Sequence, residues 1–297
     1  MADPQKPEIF PPWGNEIPEG SHITYTWTLE CRKYLYLFDE DKACGMKYYF
    51  YDPTEHGFEK GKEYPLLVFI HGKNNAIHGD ECTSQCGAAY YGCDEYQKRI
   101  GGAYILIPVA NEYMKGDETL NTWDTPYVDI FVSIIKNFIS KYGKPNGGIN
   151  KKILIGTSSG ANFMYKVSDA YPKFFNVLCA ISSYIVPTLQ EVEMYNKNDI
   201  TFFFFMSKHD EYIDFHRLIE PNIYKMEKIN KKFILTPEWI RFGDKGIASN
   251  NYNDIEMGQH CAIMQMQYDL LYDDGTPMFE ELPDGFLVWL RKALFGE

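Results

Sequence analysis

The chain has 297 residues, 45% hydrophobic and 24% charged, values that exclude disordered, collagen-like and low-complexity chains. Its 41 Asp and Glu against 29 Lys and Arg give a net charge of −12, an acidic surface that repels phosphate backbones and anionic membranes and argues against nucleic-acid or membrane partners. No apolar run approaches the ~20 residues that span a bilayer, and the length suits either two domains or one large α/β domain.

Residues 1–20 hold five prolines and two glycines without periodicity, which predicts an extended arm or linker; residues 21–297 are expected to form one domain. The stretch Met1 to Pro12 lacks both the basic start and the apolar run of a signal peptide. Short β-prone runs follow at Ile23 to Leu29, Tyr34 to Phe38 and Met46 to Tyr51, and they predict antiparallel strands. After Glu63 the runs become continuously apolar: Pro65 to Ile70, Tyr104 to Val109, Lys152 to Ile155, Val177 to Ile181, Thr201 to Met206 and Phe233 to Leu235. Strands buried on both faces, as in a parallel sheet covered by helices, read this way. Between them, Val128, Phe131, Val132, Ile135, Phe138 and Ile139 keep helical spacing, with Asp124 or Thr125 as N-cap and Pro126 in the first turn. Further helices are expected at Ser159 to Tyr171, around Leu218 to Ile229, and along Phe286, Trp289, Leu290, Ala293 and Leu294. The fold class is therefore α/β: an open, mostly parallel sheet with an antiparallel start and helices on both faces.

The chemistry centres on Gly156-Thr157-Ser158-Ser159-Gly160, which follows an apolar strand and opens a helix. In that context a G-x-S-x-G serine sits on a tight elbow, flanked by glycines because side chains there would strike neighbouring backbone. A serine hydroxyl needs a histidine base, and the base needs a carboxylate to fix its tautomer; an elbow serine is followed in the chain by the acid and then the histidine. Asp210, in the loop after the strand Thr201 to Met206, is the candidate acid, with Asp214 as runner-up and Glu211 expected in solvent. His260 is the candidate base, because the other histidine after Asp210, His216, lies in or beside a helix. The oxyanion hole is expected from the backbone N–H of Ser159 and from the loop after the strand Pro65 to Ile70, where Lys73 is favoured over Asn74. His71 reads as structural.

These features resemble the α/β-hydrolase esterases of a group that includes the so-called predicted peptidases, feruloyl and acetyl xylan esterases of carbohydrate esterase family one, and polyhydroxybutyrate depolymerases. The likeness runs from Met46 to the C-terminus through Tyr64 to Gly72, Ile107-Pro108 with Trp123, the elbow, Tyr171-Pro172, Asp210 with Ile213, Gly258 with His260, and Trp289-Leu290. It departs where Ser159-Gly160-Ala161 replaces the usual Met-Gly-Gly and where Met206-Ser207 replaces the usual His-Gly. The resemblance implies ester hydrolysis through an acyl-enzyme, without metal or organic cofactor. Its substrates would be feruloyl or acetyl esters on plant polysaccharide, and the enzyme would be secreted, with any leader outside this sequence, a cytoplasmic location being the alternative. A peptidase or polyester depolymerase on the same frame, or a non-catalytic carbohydrate-binding relative, is the alternative.

Seven cysteines leave at least one unpaired within the chain. His78, Cys82, Cys86 and Cys93 do not match common zinc spacings, and a local disulfide or buried thiols is the expectation there. Aromatic residues reach 16%. Tyr90, Tyr91, Trp123, Tyr184 and Trp239 are near predicted loops, and Trp123, Tyr184 and Trp239, with Asn74, are carried forward as substrate-binding candidates. The polar stretch from Ile247 to Gly258 suggests a mobile loop over the site. A histidine base works only when neutral, so activity should rise with pH through about 6 to 7, where an ordinary imidazole titrates. A rate profile flat from acid to alkaline pH contradicts it.

Overall fold

The hydrophobic run at each buried strand divides between two helix layers. The computed structural model describes residues 22–23, 33–73, 88–110, 113–115, 118–120, 123–240, 248–249, 251–252, 255–256, 259–260, 262–263, 266, 269–272 and 274–296. Strands β1 (Asp39–Ala43) and β2 (Met46–Tyr51) form a hairpin turned by Cys44 and Gly45, both at positive φ, 54° and 78°. That pairing of left-handed residues matches the twist of the flanking strands. Strands β3 (Tyr64–Ile70), β4 (Tyr104–Pro108), β5 (Ile149–Thr157), β6 (Val177–Ile181), β7 (Thr201–Phe205) and β8 (Lys231–Leu235) run parallel. The eight strands pair in the order β8-β7-β6-β5-β3-β4-β2-β1, with β2 antiparallel to β4.

Helices α1 (Asp94–Ile100), α2 (Val128–Phe138), α3 (Ser159–Ala170), α4 (Leu189–Lys197) and α5 (Gly285–Phe295) cover the sheet. Leu66, Val68, Ile70, Phe202 and Phe204 pack with α2, α3 and α4 on one face. Their neighbours Leu67, Phe69, Phe203 and Phe205 pack with α1 and α5 on the other. The two-residue period of a strand makes this division, and it explains why Phe202 to Phe205 are all fully buried. Each such side chain contributes about 1.5–3 kcal/mol through burial.

Two expectations are corrected. Tyr34 to Phe38 is not a strand: Leu35–Leu37 is a single 3-10 turn, with Tyr36 80% exposed and Leu35, Leu37 and Phe38 folded onto the core. The strand there is Asp39–Ala43 instead, whose charged residues suit an exposed sheet edge and erase the apolar signal. Leu218 to Ile229 is not one helix, because Pro221 lacks an N–H; the chain runs through a π turn at Phe215–Ile219, a 3-10 turn at Glu220–Asn222 and one α-turn at Ile223–Met226. Helix α4 was unforeseen although Thr188 and Glu191 cap it reciprocally, a signal present in the sequence. Of the expected first strand, Ile23 to Leu29, Ile23 is described, in the strand His22–Ile23 that pairs in parallel with Ala248–Ser249; residues 24–29 and the arm 1–20 are outside the described residues.

From β3 the chain moves to β4 on one side, then crosses back to β5 on the other. Ligands of open α/β sheets bind at the carboxyl ends of the strands beside such a reversal. The exits of β3 and β5 are His71-Gly72 and Ser158.

Candidate active site

Strand β5 ends at Thr157 and α3 begins at Ser159, so Ser158 alone turns the chain, at φ 55° and ψ −124°. A residue with a side chain rarely adopts this geometry, and it persists only where its surroundings over-determine it. Here the Ser158 N–H donates to Ile181 O of β6 at 2.9 Å, and the Ser158 carbonyl accepts from Ala161 N–H at 3.0 Å. A Cβ on Gly156 would lie 2.5 Å from Gly160 O; one on Gly160 would lie 2.4 Å from Ile70 O and 2.6 Å from His71 O. Both glycines are thus required by contact, and the start of α3 is pressed against the exit of β3.

Asp210, itself fully buried, lies in the turn after β7, and its Oδ1 accepts the N–H groups of Tyr212 and Ile213, both at 2.9 Å. Its two oxygens lie 2.9 and 2.8 Å from His260 Nδ1, and His260 Nε2 lies 3.0 Å from Ser158 Oγ. A carboxylate only accepts, so Nδ1 carries the ring proton and Nε2 is left to accept the hydroxyl proton of Ser158. The three sequence-predicted residues therefore form one continuous hydrogen-bonded chain, with the imidazole only 13% exposed. Asp214 is engaged elsewhere, accepting Arg217 N–H at the start of the next turn, and His216 pairs with Glu220 on the surface.

Ser159 contributes the first N–H of α3, a helix end that carries partial positive charge. At the exit of β3, fully buried His71 has its Nδ1 2.8 Å from Gly72 O, while its Nε2 accepts Ala110 N–H at 3.1 Å. Burial lowers its pKa to about 4, so the ring is neutral and its tautomer fixed, the structural role expected of it. Because a trans peptide points its N–H opposite its carbonyl, fixing Gly72 O toward His71 aims the Lys73 N–H away from that ring. Asn74 is outside the described residues.

The aromatic candidates separate. Trp123 is not at the surface of the site: it is 3% exposed and packs against Phe163, Phe131 and Tyr127 at 5.4, 5.1 and 5.6 Å between centroids. Trp239 is half-buried with one face stacked on His209 at 3.7 Å, and Tyr184 is exposed on the loop after β6. Tyr90 and Tyr91 are buried. Cys93 is a buried free thiol whose pKa is raised by burial, and not part of a disulfide; Cys82, Cys86 and His78 are outside the described residues. Of the stretch 247–258, the described parts are short strands, with Asn251–Tyr252 paired to Ile255–Glu256.

Sequence reasoning missed two neighbours of the imidazole. Tyr212, 42% exposed, stands edge-on to His260 at 5.0 Å between ring centroids. Glu211 is not in solvent: it is 2% exposed and accepts the backbone N–H groups of Gln259, at 2.8 Å, and His260. Burial, then the charge of Asp210, push its pKa well above the usual carboxylate range. Chain order singles out Asp210 in the charged loop Lys208 to Glu211, but nothing in that loop signals that Glu211 turns inward as well.

No family model and no curated protein matches this sequence. Among solved structures, a thermostable esterase superposes with a TM-score of 0.58 at 17% identity, covering 80% of this chain and 61% of that one. This chain thus spans about three fifths of the length of that esterase. Looser superpositions include Est1E from Butyrivibrio proteoclasticus with ferulic acid bound, at 11% identity, 67% of this chain, 89% of that chain and TM-score 0.44. A thermophilic esterase from Thermogutta terrifontis with butyrate bound gives 14%, 68%, 83% and 0.44 in the same order. The mixed eight-stranded sheet, its helices and the first superposition define an α/β-hydrolase fold.

Gly160→Ala must push α3 off the β3 exit, and overpacking of this kind costs about 1–3 kcal/mol. Urea denaturation should show that loss, and an unchanged midpoint would mean the contact yields freely.

Proposed function

We propose that this chain is a carboxylic ester hydrolase working through an acyl-enzyme on Ser158. The observation that carries the reading is the unbroken chain from Ser158 Oγ through His260 to the buried Asp210. Such an arrangement lets Nε2 remove the hydroxyl proton as Oγ attacks the ester carbonyl, while Asp210 stabilises the imidazolium that forms. The negative charge that develops on the carbonyl oxygen rests on the backbone N–H groups of Ser159 and Lys73. His260 then returns its proton to the departing alcohol. A water takes the place of the alcohol, gives a proton to His260, and attacks the acyl carbon; the acid product leaves and Ser158 regains its proton.

For substrates we infer feruloyl or acetyl esters of plant cell-wall polysaccharide, which would require the enzyme to work outside the cell. Support for this comes from the likeness of the motifs to carbohydrate esterases of family one. It also comes from the exposed Tyr212 ring beside His260, an apolar face with a polar tip suited to a phenolic acyl group or a sugar ring.

Wild type and Ser158→Ala should be compared on methyl ferulate and on a short nitrophenyl acetate. Loss of the nucleophile should lower kcat/KM by about 10⁴-fold or more on every ester the wild type turns over. Turnover of acetate alone would narrow the substrates to acetyl esters. Equal turnover by the variant, or none by the wild type on any ester, overturns the reading.

A further inference from the structure

Glu211 needs an explanation that its neighbours do not supply. A carboxylate carried into a dry interior loses several kcal/mol of hydration, and an apolar residue of similar volume would incur no such cost. The compensation visible here is unusual in its target: the two oxygens take the backbone N–H groups of two successive residues, Gln259 and His260. Paired main-chain N–H groups of this kind form a concavity that holds an anion. Glu211 also follows Asp210 directly, so one dipeptide at the exit of β7 grips both ends of a single residue, the ring of His260 through Asp210 and its main chain through Glu211.

The same loop is pinned a second time. The fully buried Gln259 side chain accepts from Ser207 Oγ at 2.6 Å and from Ile240 N–H at 2.8 Å, and donates to Ile240 O at 3.0 Å. Ser207 is one of the residues that replace the His-Gly of the resembling esterases, and its hydroxyl makes this bond possible. The backbone of His260 is thereby tied to the acid loop and to the exit of β8.

We propose that Glu211 is a positioning residue for the histidine base, setting through the main chain of Gln259 and His260 where Nε2 meets Ser158. The inference rests on the reading of Ser158, Asp210 and His260 as a catalytic triad. Ester binding in the ground state does not involve this contact, whereas proton transfer does. Small misplacements of a catalytic group cost as much as ~100-fold in rate.

The test compares wild type with Glu211→Gln, which keeps one acceptor but sets an amide N–H₂ against the second backbone N–H, and with Glu211→Asp, which keeps the carboxyl group but withdraws its reach. On an ester that the wild type hydrolyses, folded Glu211→Gln should lose about 10- to 100-fold in kcat with KM within about 3-fold. Glu211→Asp should move the same way and carries the test if the Gln variant does not fold. The low-field proton resonance of the His260 ring N–H should shift or broaden in both. Wild-type kcat per folded molecule together with an unchanged ring-proton resonance would overturn the proposal and leave Glu211 a purely structural residue. Full activity in Ser158→Ala would instead sink the triad reading and this inference with it, an outcome distinct from wild-type behaviour of the Glu211 variants alone.

Discussion

The site depends on a contact that only a residue without a side chain permits: Gly160, in the first turn of α3, against the carbonyls of Ile70 and His71. This close approach fixes where α3 can begin relative to β3. Because β5 and α3 leave a single residue between them, it also forces Ser158 into its left-handed turn. The helix end that supplies the Ser159 N–H and the loop that supplies the Lys73 N–H are then neighbours by construction. A backbone packing constraint thus sets the spacing of groups proposed to meet one reacting carbonyl, and the cost of the strained φ is borne by the hydrogen bonds that hold Ser158 to β6 and within α3.

Electrostatics complete what packing begins. Two consecutive carboxylates, Asp210 and Glu211, are almost wholly removed from water in a protein that already carries a net −12. Hydrogen bonds from the main chain and from the imidazole offset that burial, and among the described residues no Lys or Arg forms an ion pair with either. His71 contributes in the opposite way. Held neutral by burial, it brings no charge near the site and acts through geometry, joining the exits of β3 and β4. Asp210, Glu211 and His71 each use an ionisable side chain to fix a position.

Much of the fold was legible because its strands are buried on both faces, which leaves continuous apolar runs such as Pro65 to Ile70 and Thr201 to Met206. The edge strand Asp39–Ala43 was illegible for the same reason inverted: a strand facing water need not be apolar, and its neighbour Tyr34 to Phe38 imitated one. The serine, acid and histidine could be read from motif and chain order, and the structure brings all three into contact. Glu211 and Trp123 could not be read this way. Whether a charged loop residue turns inward, or an aromatic one faces substrate or core, depends on partners distant in sequence: Gln259 for one, Phe163 for the other.

The most direct measurement is covalent labelling of the native protein with a fluorophosphonate, followed by mass-spectrometric mapping of the adduct. Such a reagent phosphonylates a serine only where a histidine base and an oxyanion hole activate it. The account predicts one adduct, on Ser158, formed rapidly by the wild type and at a rate reduced by orders of magnitude in His260→Ala. Absence of labelling in the folded wild type, or an adduct on any other residue, would contradict it.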